Sequence, residues 1–275
     1  MSNKAKSIAV RLIVKLAALV TFGILFFIIG YILYRGIPAL KPSLFQWKYT
    51  SKNVSMLPSI INTLFLVMTT LVVVTPIGVF TGFYLIEYAK RGSRLVSIIR
   101  IATETLSGIP SIVYGLFGML FFVNRLKFSY SMLAGILTVT IMVLPLIIRS
   151  TEEALLAVDD HLREASFGLG AGKLRTIFRV VLPVAMPGIL SGVILSIGRI
   201  VGETAALIYT FGTATRLADG FFNSGRTLSV HMYMLSNEGL HVGESFATGV
   251  VLLFIIFIIN GISTYLSSRL TKGNS

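Results

Sequence analysis

Glu164-Ala165-Ser166-Phe167-Gly168-Leu169-Gly170, then nine residues, then Val180-Val181-Leu182-Pro183, leads into an apolar run that carries Arg199-Ile200-Val201-Gly202-Glu203-Thr204-Ala205-Ala206-Leu207. The stretch from 149 to 212 therefore has a polar half and an apolar half with an arginine and a glutamate set inside it. The polar half is expected to receive mechanical work at a membrane face, and the apolar half to touch an anion within the bilayer. Everything else in the chain bears on that reading.

Composition sets the class. The 275 residues are 55% hydrophobic and 13% charged, with a mean hydropathy of +0.86. Soluble domains carry about 25% charged residues. The chain is expected to be an all-α integral membrane protein. A net charge of +13 would point to nucleic acid in a soluble protein, but in a membrane chain basic loops follow from the positive-inside rule, so no nucleic-acid partner is expected. There is no cysteine, which excludes disulfides and thiolate chemistry. The three histidines, His161, His231 and His241, show no H-E-x-x-H spacing, so no metal site is expected.

Working outward, six apolar runs are long enough to span a hydrocarbon core of about 30 Å. They cover about 16–33, 60–86, 96–123, 130–148, 184–211 and 246–266. The first is too long for the core of a cleavable signal and is read as a membrane helix. The connection 35–57 holds the single tryptophan, Trp47, whose bland reading is an interfacial resting place. Pro76 and Gly78 are expected to bend the second run. Gly108-Ile109-Pro110-Ser111 interrupts the third, either as a broken helix beside a pathway or as a packing kink. Glu104 lies two turns before that break. It is either a functional group, the default for an ionisable residue in a span, or an interfacial partner for Arg100. With both termini in the cytoplasm, 15 of the 24 lysines and arginines fall inside, eight outside and Arg199 within a span. The expectation is a multi-pass protein of a prokaryotic plasma membrane with cytoplasmic termini. Residues 1–57 form a first helix and external connection, and residues 58–275 a five-helix core with a coupling loop at 149–183.

Within that loop, Asp159-Asp160 reads as a cap and 161–168 as a short helix stopped by Gly170 and Gly172. A second basic helix follows over 173–181, and Pro183 is expected to end it and turn the chain into the fifth span. Small residues at Ala165 and Ser166 suit close docking into a groove of another protein, while the plainer reading is an amphipathic helix lying on headgroups. Gly168 to Lys173 imitates a phosphate loop, but the spacing is short by one residue and Leu174 stands where serine or threonine would hold magnesium. No cofactor is expected on this chain itself.

In the fifth run, Gly188 with Gly192 and Gly198 with Gly202 are two small-xxx-small pairs, suited to the third or fourth span or to a neighbouring subunit. Arg199 lies about 20 Å along the helix, where an arginine costs about 2.5 to 3.5 kcal/mol and must face protein or water. Glu203, four residues on, is expected on the same face. The two are either a self-neutralising structural pair or an anion contact, the guanidinium fork matching phosphate oxygens. A carboxylate there could accept a hydrogen bond from the hydroxyl of monohydrogen phosphate. Thr204 beside them leaves room.

These motifs carry a resemblance. Glu164-Ala165-Ser166, three residues, Gly170, nine residues and Val180-Val181-Leu182-Pro183 resembles the E-A-A-x3-G-x9-I-x-L-P signature of ABC importer permeases, with serine for the second alanine and valine for isoleucine. Arg199 to Leu207 resembles the R-x3-G-E-T-A-P-L stretch of phosphate-specific, PstA-like permeases, with Ala206 for proline and one residue fewer between arginine and glycine. Residues 107–118, including Ser111, and 149–155 resemble further stretches of that family. The resemblance covers about 58–270. It implies a six-span type I ABC importer permease with a cytoplasmic coupling helix, translocating inorganic phosphate by alternating access. It implies a PstC-like permease partner, a PstB-like ATPase dimer that holds ATP and Mg, an extracytoplasmic phosphate-binding protein, and surrounding membrane lipid. Arg149, Arg199 and Glu203 are implied in transport, with Thr204, Ser111 and Glu104 along the pathway. Glu164, Ala165, Ser166, Gly170, Leu182 and Pro183 are implied in ATPase coupling. Alternatives are a PstC-like subunit, a permease for another oxyanion or phosphonate, and an ion-coupled secondary transporter. An intramembrane hydrolase lacks its base.

Overall fold

The computed structural model describes residues 3–90 and 92–272. Arg91 and the side chains of Lys4, Lys6, Arg269 and Lys272, all counted in the charge tally, lie outside the described residues. In chain order the helices are α1 (Asn3–Gly36), α2 (Leu57–Phe83), α3 (Arg94–Ser107), α4 (Ser111–Gly118), α5 (Met132–Leu156), α6 (Asp160–Gly168), α7 (Lys173–Thr176), α8 (Leu182–Gly202), α9 (Ala205–Thr210), α10 (Leu228–Glu238) and α11 (Val242–Lys272). Wider π-helical turns extend α2 over Tyr84–Tyr88 and α4 over Met119–Arg125, and join α7 to α8 over Ile177–Val181.

Five helical stretches are long and apolar enough to cross a membrane, and a sixth is a bent pair. That pair is the third run. Arg94–Ser107 and Ser111–Arg125 meet at 106°. Each half is only about 21 to 23 Å long at 1.5 Å per residue, so neither crosses alone. Pro110 has no N–H to continue the ladder and sits in extended backbone ahead of α4. Elsewhere proline does not break the chain. α2 runs unbroken past Pro76. The helix from Lys173 to Gly202 also continues through Pro183, correcting the expected turn there. A proline ring crowds the carbonyl four residues back, here Arg179, and that carbonyl lies in the wider turn Ile177–Val181, which relieves the clash. The polar segment also starts later than expected, because Arg149 to Leu156 forms the last two turns of α5.

α5 is the axis of the bundle, and α2 and α8 pack along adjacent faces of it. Two thirds of its apolar window is buried within the chain. Glycines permit both crossings. A Cβ on Gly78 would sit 2.6 Å from Ile147 Cγ2, and one on Gly82 2.7 Å from Thr151. At the other crossing, a Cβ on Gly188 would meet Ala154 Cβ at 2.6 Å and one on Gly192 would meet Ser150 Oγ at 1.8 Å. The first small-residue pair of the fifth span thus serves the fourth span, whereas Gly198 and Gly202 face open space in this chain. The same contacts fix direction: α2 runs parallel to α5, and α8 antiparallel. α1 packs chiefly on α11 and leaves Phe22, Phe26 and Phe27 exposed, as a lipid-facing helix does.

The end of the bundle opposite α6 is closed by side chains that satisfy loop backbone. Buried Asn62 donates to the carbonyls of Arg216 and Arg226 and accepts from the Ala218 N–H. Thr63 Oγ1 accepts from the Leu228 N–H at the start of α10. Arg226, 3% exposed, lies with its guanidinium carbon 5.0 Å from the Tyr49 ring centroid, and the same ring meets fully buried His231 edge-on. This ties the connection after α1 to the segment before α10. Burial, with Arg226 adding a like charge, pushes His231 down to about 3.

Two expectations follow. Gly192→Leu overpacks the α5–α8 crossing by about 1 to 3 kcal/mol. It is expected to lower the melting temperature of the purified protein in detergent by several degrees, while Gly198→Leu leaves it within about a degree. The folded state holds His231 neutral, whereas the unfolded chain protonates near pH 6.5. Stability from this site is therefore complete above pH 6.5 and falls as pH drops from 6.5 toward 3. His231→Phe is expected to flatten that acid limb in chemical denaturation measured across the pH range.

Candidate functional site: an arginine-lined cavity along α5

Between α3, α5 and α8 lies a cavity of about 450 Å³ lined by Arg100, Thr103, Glu104, Ser107, Met142, Pro145, Leu146, Arg149, Glu152 and Arg199. The wall from α3 is residues 100, 103, 104 and 107, one stripe of a 3.6-residue helix. The wall from α5 repeats the pattern at 142, 145, 146, 149 and 152, a run of about 15 Å. The glycine register sets the third wall. With Gly188 against Ala154 and Gly192 against Ser150 in antiparallel helices, Arg199 stands level with residue 143. It occupies the inner end, while Arg149 and Glu152 lie at the end nearer α6.

The charges are not all spent on one another. Arg100 reaches Glu152 at 3.2 Å, and Arg149 reaches Glu153 at 3.0 Å. Neither Arg199 nor Glu104 makes an ion pair among the described residues. Three guanidiniums and two carboxylates line the space. That balance suits an anion, because a guanidinium offers paired donors to two oxygens, and Glu104 adds an acceptor for a hydroxyl on the same ligand.

The structure brings together Arg149, Arg199 and Glu104 and separates the other residues expected with them. Glu203 makes no ion pair with Arg199 among the described residues; α8 ends at Gly202, and Glu203 is the first residue past it. It is 8% exposed, and its Oε1 accepts from the Ala206 N–H at 2.9 Å, satisfying a donor at the start of α9. Its carbonyl accepts from the Ser229 hydroxyl at 2.7 Å, bracing α10. Glu203 is therefore a buried cap, and the i,i+4 pair expected in a continuous helix does not form. Thr204 lines a different, largely apolar cavity of about 640 Å³ with Tyr209, Ser229 and Phe246. Ser111 begins α4, beyond the break. Arg100 pairs with Glu152 rather than with Glu104. Sequence reading passed over Arg100, Glu152, Thr103 and Ser107 as site residues, although the spacing i, i+3, i+4, i+7 on α3 was a legible signal.

At the end of α5, Asp159 caps α6 by accepting from the His161 N–H at 2.9 Å. α6 buries no residue. Glu164 and Ala165 are exposed, Ser166 bonds to the Thr176 hydroxyl at 2.8 Å, and Gly170 turns the chain with φ +81°. Leu169 at the tip is 90% exposed. Leu182 and Pro183 lie away from that tip, half-buried at the start of α8.

The site thus sits in a bundle of spans with an exposed short helix at one end. The family model described as "Binding-protein-dependent transport system inner membrane component" matches residues 74–272, and the chain belongs to that family. It is 31% identical to "Probable ABC transporter permease protein YqgI" of Bacillus subtilis, over 94% of this chain and 93% of that protein. It is 37% identical to "Phosphate transport system permease protein PstA 1" of Mycobacterium tuberculosis, over 68% of this chain and 61% of that protein. Its fold matches a chain of the crystal structure of a bacterial ABC transporter that imports alginate, with a TM-score of 0.68 at 16% identity, covering 98% of this chain and all of that one. The chain is thus an all-α, type I ABC importer permease by fold.

The capping role of Glu203 is open to measurement. Glu203→Gln keeps an oxygen for the Ala206 N–H and is expected to stay near wild-type stability. Glu203→Ala leaves that buried donor unmet and is expected to cost about 1 to 2 kcal/mol in thermal unfolding.

Proposed function

We propose that this chain is the PstA-like permease subunit of an ATP-driven importer of inorganic phosphate. The observation that carries the proposal is Arg199, a guanidinium that makes no ion pair among the described residues and stands at the inner end of a cavity between spans. A charge at that depth needs a partner, and a translocated oxyanion supplies one. Arg149 and Arg100 provide further positive charge nearer α6, each held in check by a glutamate that an arriving anion can displace. Glu104 accepts from the P–OH of monohydrogen or dihydrogen phosphate and disfavours sulfate, which has no such proton at neutral pH. The phosphate-transport relative named above supports this choice of oxyanion.

In this reading the bundle end that bears α6 faces the cytoplasm, and both termini lie there. A PstB-like ATPase dimer, carrying ATP and Mg, binds α6 through Glu164, Ala165 and the exposed tip. A PstC-like permease completes the translocation path, and an extracytoplasmic binding protein delivers phosphate at the α10 end. This chain makes and breaks no bonds. It offers the anion alternating access while its partner hydrolyses ATP.

Uptake by the complete complex in proteoliposomes, with phosphate, sulfate and molybdate in competition, tests the assignment. ATP-dependent phosphate uptake resisting excess sulfate is expected. Arg199→Ala is expected to reduce it about 10- to 100-fold, the loss of one charge-assisted contact or two, with the complex still assembled. Glu104→Gln is expected to narrow the preference for phosphate. Uptake of sulfate or molybdate in place of phosphate, or normal uptake by Arg199→Ala, defeats the reading.

A further inference from the structure

Arg163, on the inner side of α6, makes five hydrogen bonds to three separate elements. Nε and Nη2 donate to Glu87 Oε1 at 3.2 and 3.0 Å. Nη2 also donates to the Leu155 carbonyl at 2.9 Å, and Nη1 to the Val158 carbonyl at 2.9 Å and to Asp160 Oδ1 at 3.0 Å. A guanidinium has five N–H donors, so all are used. The pair with Glu87 is also sheltered, the two side chains being 14% and 10% exposed. Glu87 lies in the last turn of the helical extension of α2, and the carbonyls of Leu155 and Val158 lie at the end of α5 and just past it, where a cation also complements the helix dipole.

The weight placed on this one side chain follows from what α6 lacks. No residue of α6 is buried, so apolar packing does not fix its position relative to the spans. The small core beneath it, Phe83, Leu155, Val158, Ile177 and Val181, belongs to the neighbouring elements. The remaining ties of the segment are Ser166 to Thr176 and Lys173, whose Nζ bonds the Glu87 carbonyl and stands 4.7 Å from the Tyr88 ring centroid. The second of these converges on the same turn of α2.

We propose that Arg163 is a positioning residue that transmits movement of α6 to α2 and α5 together, with Glu87 as its fixed anchor. The route is short. Leu155 is six residues from Arg149, about 9 Å along α5, so displacement of the fork moves the cavity wall. The other route, along the continuous helix from Lys173 to Gly202, enters the wall carrying Arg199. The two routes reach two of the three walls of the cavity. The proposal rests on the reading that an ATPase acts on α6, although the clamp itself does not depend on which solute is carried.

The test uses the full transporter with its ATPase, and two readouts. Arg163→Lys keeps the charge but has three donors on one nitrogen, which cannot span Glu87 and both carbonyls. In Arg163→Lys and Glu87→Gln, ATPase co-purification and ATP hydrolysis are expected within about twofold of wild type, with solute carried per ATP at least about tenfold lower. Amide exchange over 160–168 is expected to quicken about tenfold while α2 and α5 stay unchanged. The swap Arg163→Glu with Glu87→Arg, which restores the pair but not the carbonyl contacts, is expected to recover part of the exchange protection and little of the coupling. Unchanged solute per ATP in both single variants overturns the proposal. So does a parallel loss of hydrolysis and transport with faster exchange throughout α2 and α5, which would mark a purely structural role. If wild type shows no ATP-driven transport, the functional reading fails, and the exchange measurement still decides whether Arg163 holds α6.

Discussion

The closeness of α2 and α8 to α5 is the constraint on which the rest depends. In lipid, helices gain nothing from hiding apolar surface, so they associate by tight packing and by satisfying polar groups. Gly78 and Gly82 let α2 lie against Ile147 and Thr151, and Gly188 and Gly192 let α8 lie against Ala154 and Ser150. Nothing larger fits at those four points. Because the crossings are so close, the register between helices is set to within a residue, and that register puts Arg199 across from the α3 and α5 stripes that complete the cavity.

Charge is handled differently at each depth of the bundle. At the end bearing α6, Arg163 is fully bonded and sheltered, as suits a joint. In the cavity, Arg100 and Arg149 are paired with glutamates but are themselves 53% and 68% exposed, so these contacts are weak enough to exchange. Arg199 alone among these makes no ion pair with the described residues. At the opposite end, Arg226 is buried over an aromatic ring, and Glu203 is used to finish a helix. A guanidinium can therefore be fully bonded, paired at an open surface or packed over a ring, and its neighbours decide which.

Much of this was legible in one dimension. Apolar run lengths gave the spans, since backbone polar groups in lipid must be satisfied within a helix. Pro110 marked the break in the third, and Asp159, Gly170 and Gly172 bounded α6. The spacing from Glu164 to Pro183 pointed to the transporter family, which the match over residues 74–272 bears out. The stripe 100, 103, 104, 107 was present in the sequence as well, though its importance depends on what faces it.

Tertiary structure decided the rest, for a physical reason common to every case. The sequence determines what a helix carries on each face, but a face acquires meaning only from the helix that packs against it. Arg199 and Glu203 are four residues apart in either description, but the helix ends between them, and the Ala206 N–H and Ser229 hydroxyl engage Glu203 as a cap while Arg199 lines the cavity. Pro183 signals a turn in the sequence, yet the wider turn before it removes the clash and the helix continues. Glu87 and Arg163 are 76 positions apart, and nothing local in the chain foretells that they meet. Periodicity and spacing are local properties, so the sequence alone determined the spans and the short exposed helix α6. Pairings between distant charges belong to the folded bundle.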